Sequence, residues 1–119
     1  MTASKDTLKD SLARYREITL DVTGRKSGRT ISRPVWFVLE GDTVFLLPVK
    51  GSETEWYKNV LHNPEIRISA RGKEEKLKAV PLTDLKTVKS VIEKFKEKYG
   101  AEDVKKYYSK FDVAVRVGV

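Results

Sequence analysis

The stretch Val35-Trp36-Phe37-Val38-Leu39-Glu40-Gly41-Asp42-Thr43-Val44-Phe45-Leu46-Leu47 decides how the chain is read. Val35 to Leu39 is a short apolar run rich in β-branched and aromatic side chains, which marks a strand with both faces apolar. Glu40-Gly41-Asp42 supplies turn chemistry, and Thr43 to Leu47 returns as a second strand, so the segment is a β-hairpin. Pro48 and Gly51 end its second arm.

Upstream, Ile18, Leu20 and Val22 alternate with Thr19, Asp21 and Thr23, the signature of a half-buried strand. Before it, Lys5 to Tyr15 reads as a short helix with Leu8, Leu12 and Tyr15 on one face. Downstream, Ser52-Glu53-Thr54-Glu55 has the pattern of a capping box, with Ser52 as the cap and Glu55 three residues on. Trp56, Tyr57, Val60 and Leu61 then form an apolar stripe at helical spacing, and Asn63-Pro64 stops that helix. Ile66, Ile68 and Ala70 alternate, Arg71-Gly72-Lys73 turns, and Glu74 to Val80 returns as a strand. From Asp84 a longer helix presents Leu85, Val88, Val91, Ile92, Phe95 and Tyr99 as one stripe. Gly100 breaks it, Glu102 to Lys110 is a second helical piece carrying Tyr107 and Tyr108, and Val113, Val115 and Val117 mark a final strand. Six strands joined mainly by hairpins, with no regular βαβ alternation, predict an α+β fold whose antiparallel sheet rolls into a small barrel. Neither repeat nor linker divides residues 1–119, so a single domain is expected.

At 119 residues the chain can bury roughly two-thirds of its unfolded surface, enough for one modest core. It has no run near the roughly 18 apolar residues a membrane span requires, and residues 1–15 are too polar for a secretory signal. Membrane insertion is therefore not expected, and a cytoplasmic location follows as the default. Without cysteine there is neither a disulfide framework nor a thiolate centre. His62 is the one histidine, stands at a helix end and has no carboxylates at ligand spacing, so no metal site is expected. The 24 Lys and Arg outnumber 17 Asp and Glu, for a net charge of +7 that favours anionic partners.

That excess is densest in Thr23-Gly24-Arg25-Lys26-Ser27-Gly28-Arg29-Thr30-Ile31-Ser32, followed by Arg33. No acidic residue interrupts it. Backbone N–H groups in a glycine-bracketed turn, with several positive charges, suit a phosphate or another polyanion. A solvated cationic hairpin tip is the plainer reading of the same residues. Lys50-Gly51-Ser52 is a second candidate anion site, because it precedes a helix N-terminus; strand-to-helix capping alone also explains Ser52. Trp56 and Tyr57 are adjacent, so one is expected to pack against the sheet while the other leans towards a rim; Asn59 and Asn63 read as helix-end and surface polar residues. No nucleophile–base set, Walker loop or dinucleotide fingerprint occurs, and a cofactor would have to carry any chemistry.

The blocks Thr23-Gly24-Arg25-Lys26-Ser27-Gly28, Pro34 opening an apolar strand, Lys50-Gly51, and Trp56-Tyr57-x-Asn59-x-x-x-Asn63-Pro64 together resemble the deazaflavin-dependent nitroreductase family. That family belongs to the split β-barrel, FMN-binding-like oxidoreductases related to pyridoxamine-phosphate oxidase. The likeness runs from about Leu20 to Leu82, with an echo in the tyrosine-bearing helix and the last strand. It implies an oxidoreductase that uses reduced deazaflavin coenzyme F-420, or FMN, to pass hydride to a quinone, enone or nitroaromatic acceptor. By the resemblance, Arg25, Lys26, Ser27, Gly28, Lys50 and Gly51 contact the cofactor phosphate and acidic tail, and Arg29 and Arg33 extend the grip. Pro34, Val35, Pro48 and Val49 line the ring, with Trp56 and Tyr57 beside it. Tyr107 and Tyr108 are the nearest equivalents of the tyrosines that shape the acceptor site and donate a proton. The resemblance also implies a homodimer whose partners are the small-molecule cofactor and acceptor. A non-catalytic flavin, deazaflavin or tetrapyrrole binding protein is the alternative on the same fold. A basic nucleic-acid-binding barrel is disfavoured, because no exposed aromatics interleave the basic run.

Overall fold

A computed structural model describes Leu8, Leu12 and residues 15–70 and 72–119. Its elements are β1 (Glu17–Thr23), β2 (Thr30–Glu40), β3 (Thr43–Leu46), a single 3-10 turn (Gly51–Glu53), α1 (Glu55–His62), β4 (Glu65–Ala70), β5 (Lys73–Leu82), α2 (Leu85–Tyr99), α3 (Ala101–Tyr107) and β6 (Ala114–Gly118). The strands close into a barrel in the order β1-β2-β3-β6-β5-β4, with every pairing antiparallel. The α+β barrel expected from the hairpins is the fold, and it is split as the family resemblance implies. Most of the predicted N-terminal helix and the Arg71 corner lie outside the described residues; Leu8 and Leu12 are helical and buried.

Two strands change partner part-way, and this splits the barrel. From Thr30 to Trp36, β2 pairs with β1; from Phe37 to Glu40 it pairs with β3. Likewise β5 pairs with β4 through Lys78 and with β6 from Ala79. The apolar run Val35–Leu39 therefore crosses the switch, and its alternate residues serve two cores. Phe37 joins Leu20, Val44, Leu46, Ile68 and Val115 in one cluster, which α1 caps with Trp56, Tyr57 and Val60. Val38 joins Val88, Val91, Phe95, Tyr99, Val104 and Tyr108 in a second cluster beneath α2 and α3. Pro34 is tolerated because it precedes the switch, where the side of β2 away from β1 carries no partner strand.

Some local readings are corrected. The Ser52 capping box does not form: α1 starts at Glu55, and Thr54 stands at its N-cap without a side-chain cap bond. Thr54 Oγ1 instead accepts the Lys50 N–H at 2.8 Å, while Ser52 is drawn to Asp112. Leu61 and Leu85, assigned to apolar stripes, are exposed. Asp84 does cap α2, its carboxylate accepting from the Thr87 N–H and hydroxyl. Gly100 ends that helix at φ 95, a left-handed value that a Cβ disfavours.

The end of α2 ties the start of β1 to the switch. The Tyr99 hydroxyl accepts the Phe37 N–H at 3.1 Å and faces the carbonyls of Arg16 and Phe37 at 2.5 and 2.8 Å. Lys98 Nζ donates to the Phe37 carbonyl at 2.8 Å while lying 3.7 Å from the centre of the Phe37 ring. Burial, aided by the nearby Arg16 charge, holds the Lys98 ammonium down to about 8; burial likewise lifts the Tyr99 phenol to about 12. Between pH 8 and the ordinary lysine value the unfolded chain binds the extra proton, so stability rises with pH there. Above pH 10 the unfolded tyrosine ionises first and stability falls. Thermal melts are expected to show Tm climbing from pH 8 to 10 and declining beyond, with the climb absent in Lys98→Met; a Tm flat across that window in the native chain contradicts this.

Candidate functional site

The partner switch of β2 leaves a cleft of about 580 Å³ whose floor carries Pro34, Val35 and Trp36. Leu47 and Val49 come from the end of the central hairpin, Lys50, Glu53 and Thr54 from the following turn, and Glu55 and Trp56 from the first turn of α1. Tyr107 and Tyr108 close the far side. This volume lies within the usual range of a small-molecule site, and Trp36, Trp56, Tyr107 and Tyr108 give its wall four aromatic rings. Trp36 stacks on Tyr99 with centroids 4.1 Å apart and planes 6° apart. It meets Tyr107 edge-on at 5.6 Å and Tyr108 at 6.0 Å. Burial pushes the Tyr108 phenol up, with the neighbouring Tyr99 adding to it, so this hydroxyl stays protonated and able to donate. Tyr107 is exposed at the mouth.

A second hollow, about 230 Å³, adjoins the first through Arg33, Glu55 and Trp56, which line both. Its other wall is the basic turn: Gly24, Arg25, Lys26 and Ser27, with Ile31 and Asn59. The turn is ordered by its own bonds. Gly24 N–H donates to the Arg29 carbonyl at 2.7 Å, Gly28 N–H to the Gly24 carbonyl at 2.9 Å, and Arg29 N–H to Ser27 Oγ at 3.2 Å. A Cβ at Gly24 would press on Ser27 Oγ and the end of the Ile31 side chain, and these would have to shift to admit it. Gly28 sits at φ 72, within the region that glycine tolerates.

The cations of the turn divide into two kinds. Arg25 is committed inward: its backbone N–H and its Nη1 reach Asn59 Oδ1 at 3.0 and 2.8 Å, and its Nη2 meets Glu55 Oε1 at 2.9 Å. That hydrogen bond and the guanidinium charge hold the Glu55 carboxyl below its ordinary range. Lys26, Arg29, Arg33 and Lys50 form no ion pair among the described residues. The amides of Lys26 and Ser27 likewise take no hydrogen bond among the described residues. An anion at this end thus meets two open N–H groups and several unpaired positive charges.

The Lys50-Gly51-Ser52 turn is different. Each of its amides is already taken: Lys50 N–H by Thr54 Oγ1, Gly51 N–H by the Pro48 carbonyl, and Ser52 N–H by Asp112. The internal carboxylate of Asp112 occupies the place that an external anion would take at a helix start, leaving the Lys50 ammonium as the turn's means of holding one. Gly51 and Pro48 are buried behind the cleft and do not line it. Tyr57 also turns away: it is buried in the barrel core, where burial and the Asp112 charge raise its phenol. Trp56, next to it, forms the partition between the two hollows.

The structure therefore brings Arg33, Pro34, Val35, Val49, Lys50, Trp56, Tyr107 and Tyr108 to one cleft, and Arg25, Lys26 and Ser27 to its continuation. Gly28 and Arg29 stand beyond, at the tip. Sequence reading passed over Trp36, Glu17 and Glu55 in the wall, and took Asn59 for a surface residue when it is 3% exposed and holds Arg25. Pro34 inside an apolar strand was a usable signal for Trp36, since a strand proline marks an unpaired edge and the residue two along shares its face. Among the described residues no helix is long and apolar enough to cross a membrane.

A family model described as F420H(2)-dependent quinone reductase matches residues 3–119. No curated protein matches the chain. Among solved structures, an F420-H2 dependent reductase, FDR-A, superposes with a TM-score of 0.67 at 20% identity, covering 86% of this chain and 93% of that one. A structure described as a domain-swapped dimer gives 0.68 at 20% identity, over 86% and 79% of the two chains. The heme storage protein HutZ from Vibrio cholerae gives 0.70 at 18% identity, over 92% and 85%. At these identities the likenesses speak to the fold.

Proposed function

The chain belongs to the F420H(2)-dependent quinone reductase family, and on that premise we propose that its cleft holds reduced deazaflavin coenzyme F-420 and serves a quinone as acceptor, with enones and nitroaromatics as further substrates. One observation carries the reading: a cleft lined by Trp36, Trp56, Tyr107 and Tyr108 adjoins, at Arg33, Glu55 and Trp56, a hollow that also carries Arg25 and Lys26. A planar ring bearing a phosphate and an acidic tail needs those two environments joined. The donor set fits it, since among the described residues Lys26, Arg33 and Lys50 form no ion pair and the Lys26 and Ser27 amides take no hydrogen bond.

When bound, the cofactor supplies a hydride to the acceptor. The protein's part is to bind, orient and exclude water. Lys50 and Arg33 would hold the phosphate, while Lys26, Ser27, Gly28 and Arg29 would take the acidic tail. Pro34, Val35 and Val49 bound the ring, and Trp56 fixes where ring gives way to phosphate. Trp36 and Tyr107 would form the acceptor wall, and Tyr108 Oη, kept protonated by burial, would donate a hydrogen bond to the acceptor oxygen. FMN stands as the alternative occupant, and a homodimer is the proposed assembly, supported by the dimeric description of one structural relative.

Titration of the purified protein with coenzyme F-420 and with FMN, followed by fluorescence quenching, tests the reading. F-420 is expected to saturate at lower concentration, and its reduced form to be consumed on adding menadione. Saturation by FMN alone overturns the cofactor; binding without turnover favours a carrier. Lys50→Ala and Arg33→Ala are each expected to weaken F-420 about tenfold, the size of one charge-assisted hydrogen bond at a solvent-open site. Added salt is expected to shrink both effects.

A further inference from the structure

Behind the cleft wall, two segments far apart in sequence run side by side. Ser109 N–H donates to the Val49 carbonyl at 2.8 Å, Lys50 and Lys110 form a parallel bridge, and Asp112 closes the seam on Ser52. One Asp112 oxygen accepts the Ser52 N–H at 2.9 Å and the other the Ser52 hydroxyl at 2.5 Å. Gly51 has φ 55, and a Cβ there would collide with the first of these oxygens, so the turn is shaped around the carboxylate. Lys110 Nζ lies 3.7 Å from Asp112 on its outer side. Burial opposes ionisation of Asp112, but the two bonds from Ser52, together with its own backbone N–H and the Lys110 charge, outweigh it and hold its carboxyl below the ordinary value.

The seam joins the two halves of the candidate site. Its first strand delivers Val49 and Lys50 to the cleft, and its second follows directly from Tyr107 and Tyr108. Asp112 itself does not line the cleft. We propose that Asp112 is a positioning residue that locks the Lys50 turn to the tyrosine segment, and so sets the distance between the cofactor phosphate and the acceptor wall. This rests on the assignment of Lys50 to the cofactor. Lys50 can hold a phosphate in register only if its turn is fixed, and the turn's own short 3-10 helix has just three residues. The Ser52–Asp112 pair supplies the missing constraint.

A double-mutant cycle on F-420 affinity tests this, using the full chain as Lys50→Ala, Asp112→Ala and the pair together, with acceptor KM and kcat measured alongside. Asp112→Ala is expected to weaken F-420 about fivefold and to raise acceptor KM, with Asp112→Asn recovering part of the loss because its oxygen can still accept the Ser52 N–H. If Asp112 acts through Lys50, the double variant binds within about twofold of Lys50→Ala alone, the mark of coupled sites. Losses that multiply in full overturn the proposal, since Asp112 then only supports the fold. Should Asp112→Ala fail to fold, Asp112→Asn and Ser52→Ala run the same cycle. If Lys50→Ala leaves F-420 affinity unchanged, the cofactor assignment itself falls, and this inference with it.

Discussion

Arg25→Ala is expected to weaken binding of coenzyme F-420 about a hundredfold, against only a few-fold for Lys26→Ala, although each removes one positive charge from the same turn. The difference follows from what each side chain touches. Lys26 stands in solvent and lends charge. Arg25 seats the turn: its N–H and its guanidinium both reach Asn59, which is 3% exposed, and its second nitrogen reaches Glu55. Truncation leaves the Gly24–Arg29 tip held to α1 by the backbone N–H of residue 25 alone, leaves the buried Asn59 oxygen with that one donor, and removes the guanidinium partner of Glu55 beside the anion. A hundredfold loss corresponds to about 2.7 kcal/mol, in line with losing charge-assisted bonds together with the order they impose. Arg25→Lys is expected to recover little, because a point charge cannot serve two acceptors from separate nitrogens. Isothermal titration with F-420 measures all three variants. Equal losses for Arg25→Ala and Lys26→Ala would mean that the turn works by charge alone and that the Asn59 anchor is incidental.

The second large effect concerns the layer under the tyrosines. Phe95 is fully buried on α2, with the ring of Tyr99 at 5.9 Å and that of Tyr108 at 6.1 Å. Phe95→Ala is expected to cost about 3–5 kcal/mol, the usual range for removing a core phenylalanine and leaving a cavity. That is a large share of the stability of a small domain. The loss is also expected to have a direction in function. Tyr99 carries Trp36, and Tyr108 lines the cleft, so the acceptor wall loosens while the basic turn, held from α1, does not. Denaturant melts check the stability. Kinetics at a temperature where the variant stays folded are expected to show acceptor KM rising several-fold more than cofactor affinity falls. Equal damage to both would mean that the two halves of the site share one support.

Much of this was legible along the chain. Strands of period two, hairpin turns and the Asp84 and Gly100 punctuation are local signals, because a side chain's alternation or a backbone's φ is decided within a few residues. The helix start at Ser52 was misread for the opposite reason. Ser52 satisfies the local capping pattern, but an acceptor sixty residues later in the chain, Asp112, takes both its N–H and its hydroxyl. Asn59 was misjudged likewise, since nothing near it in sequence announces Arg25.

From the sequence alone came the barrel, the basic turn and the match of ordered blocks that identifies the family. Only the tertiary structure decided which of those residues face the cleft and which spend their bonds elsewhere. Arg25 and Gly51 look like ligands in a motif, yet in the fold Arg25 is an anchor and Gly51 makes room for Asp112. Trp36 looks like core, yet the partner switch of β2 bares it to the cleft. The physical reason is common to all three. Charge and shape are written residue by residue, whereas hydrogen bonding is a closed account among groups that only folding brings together.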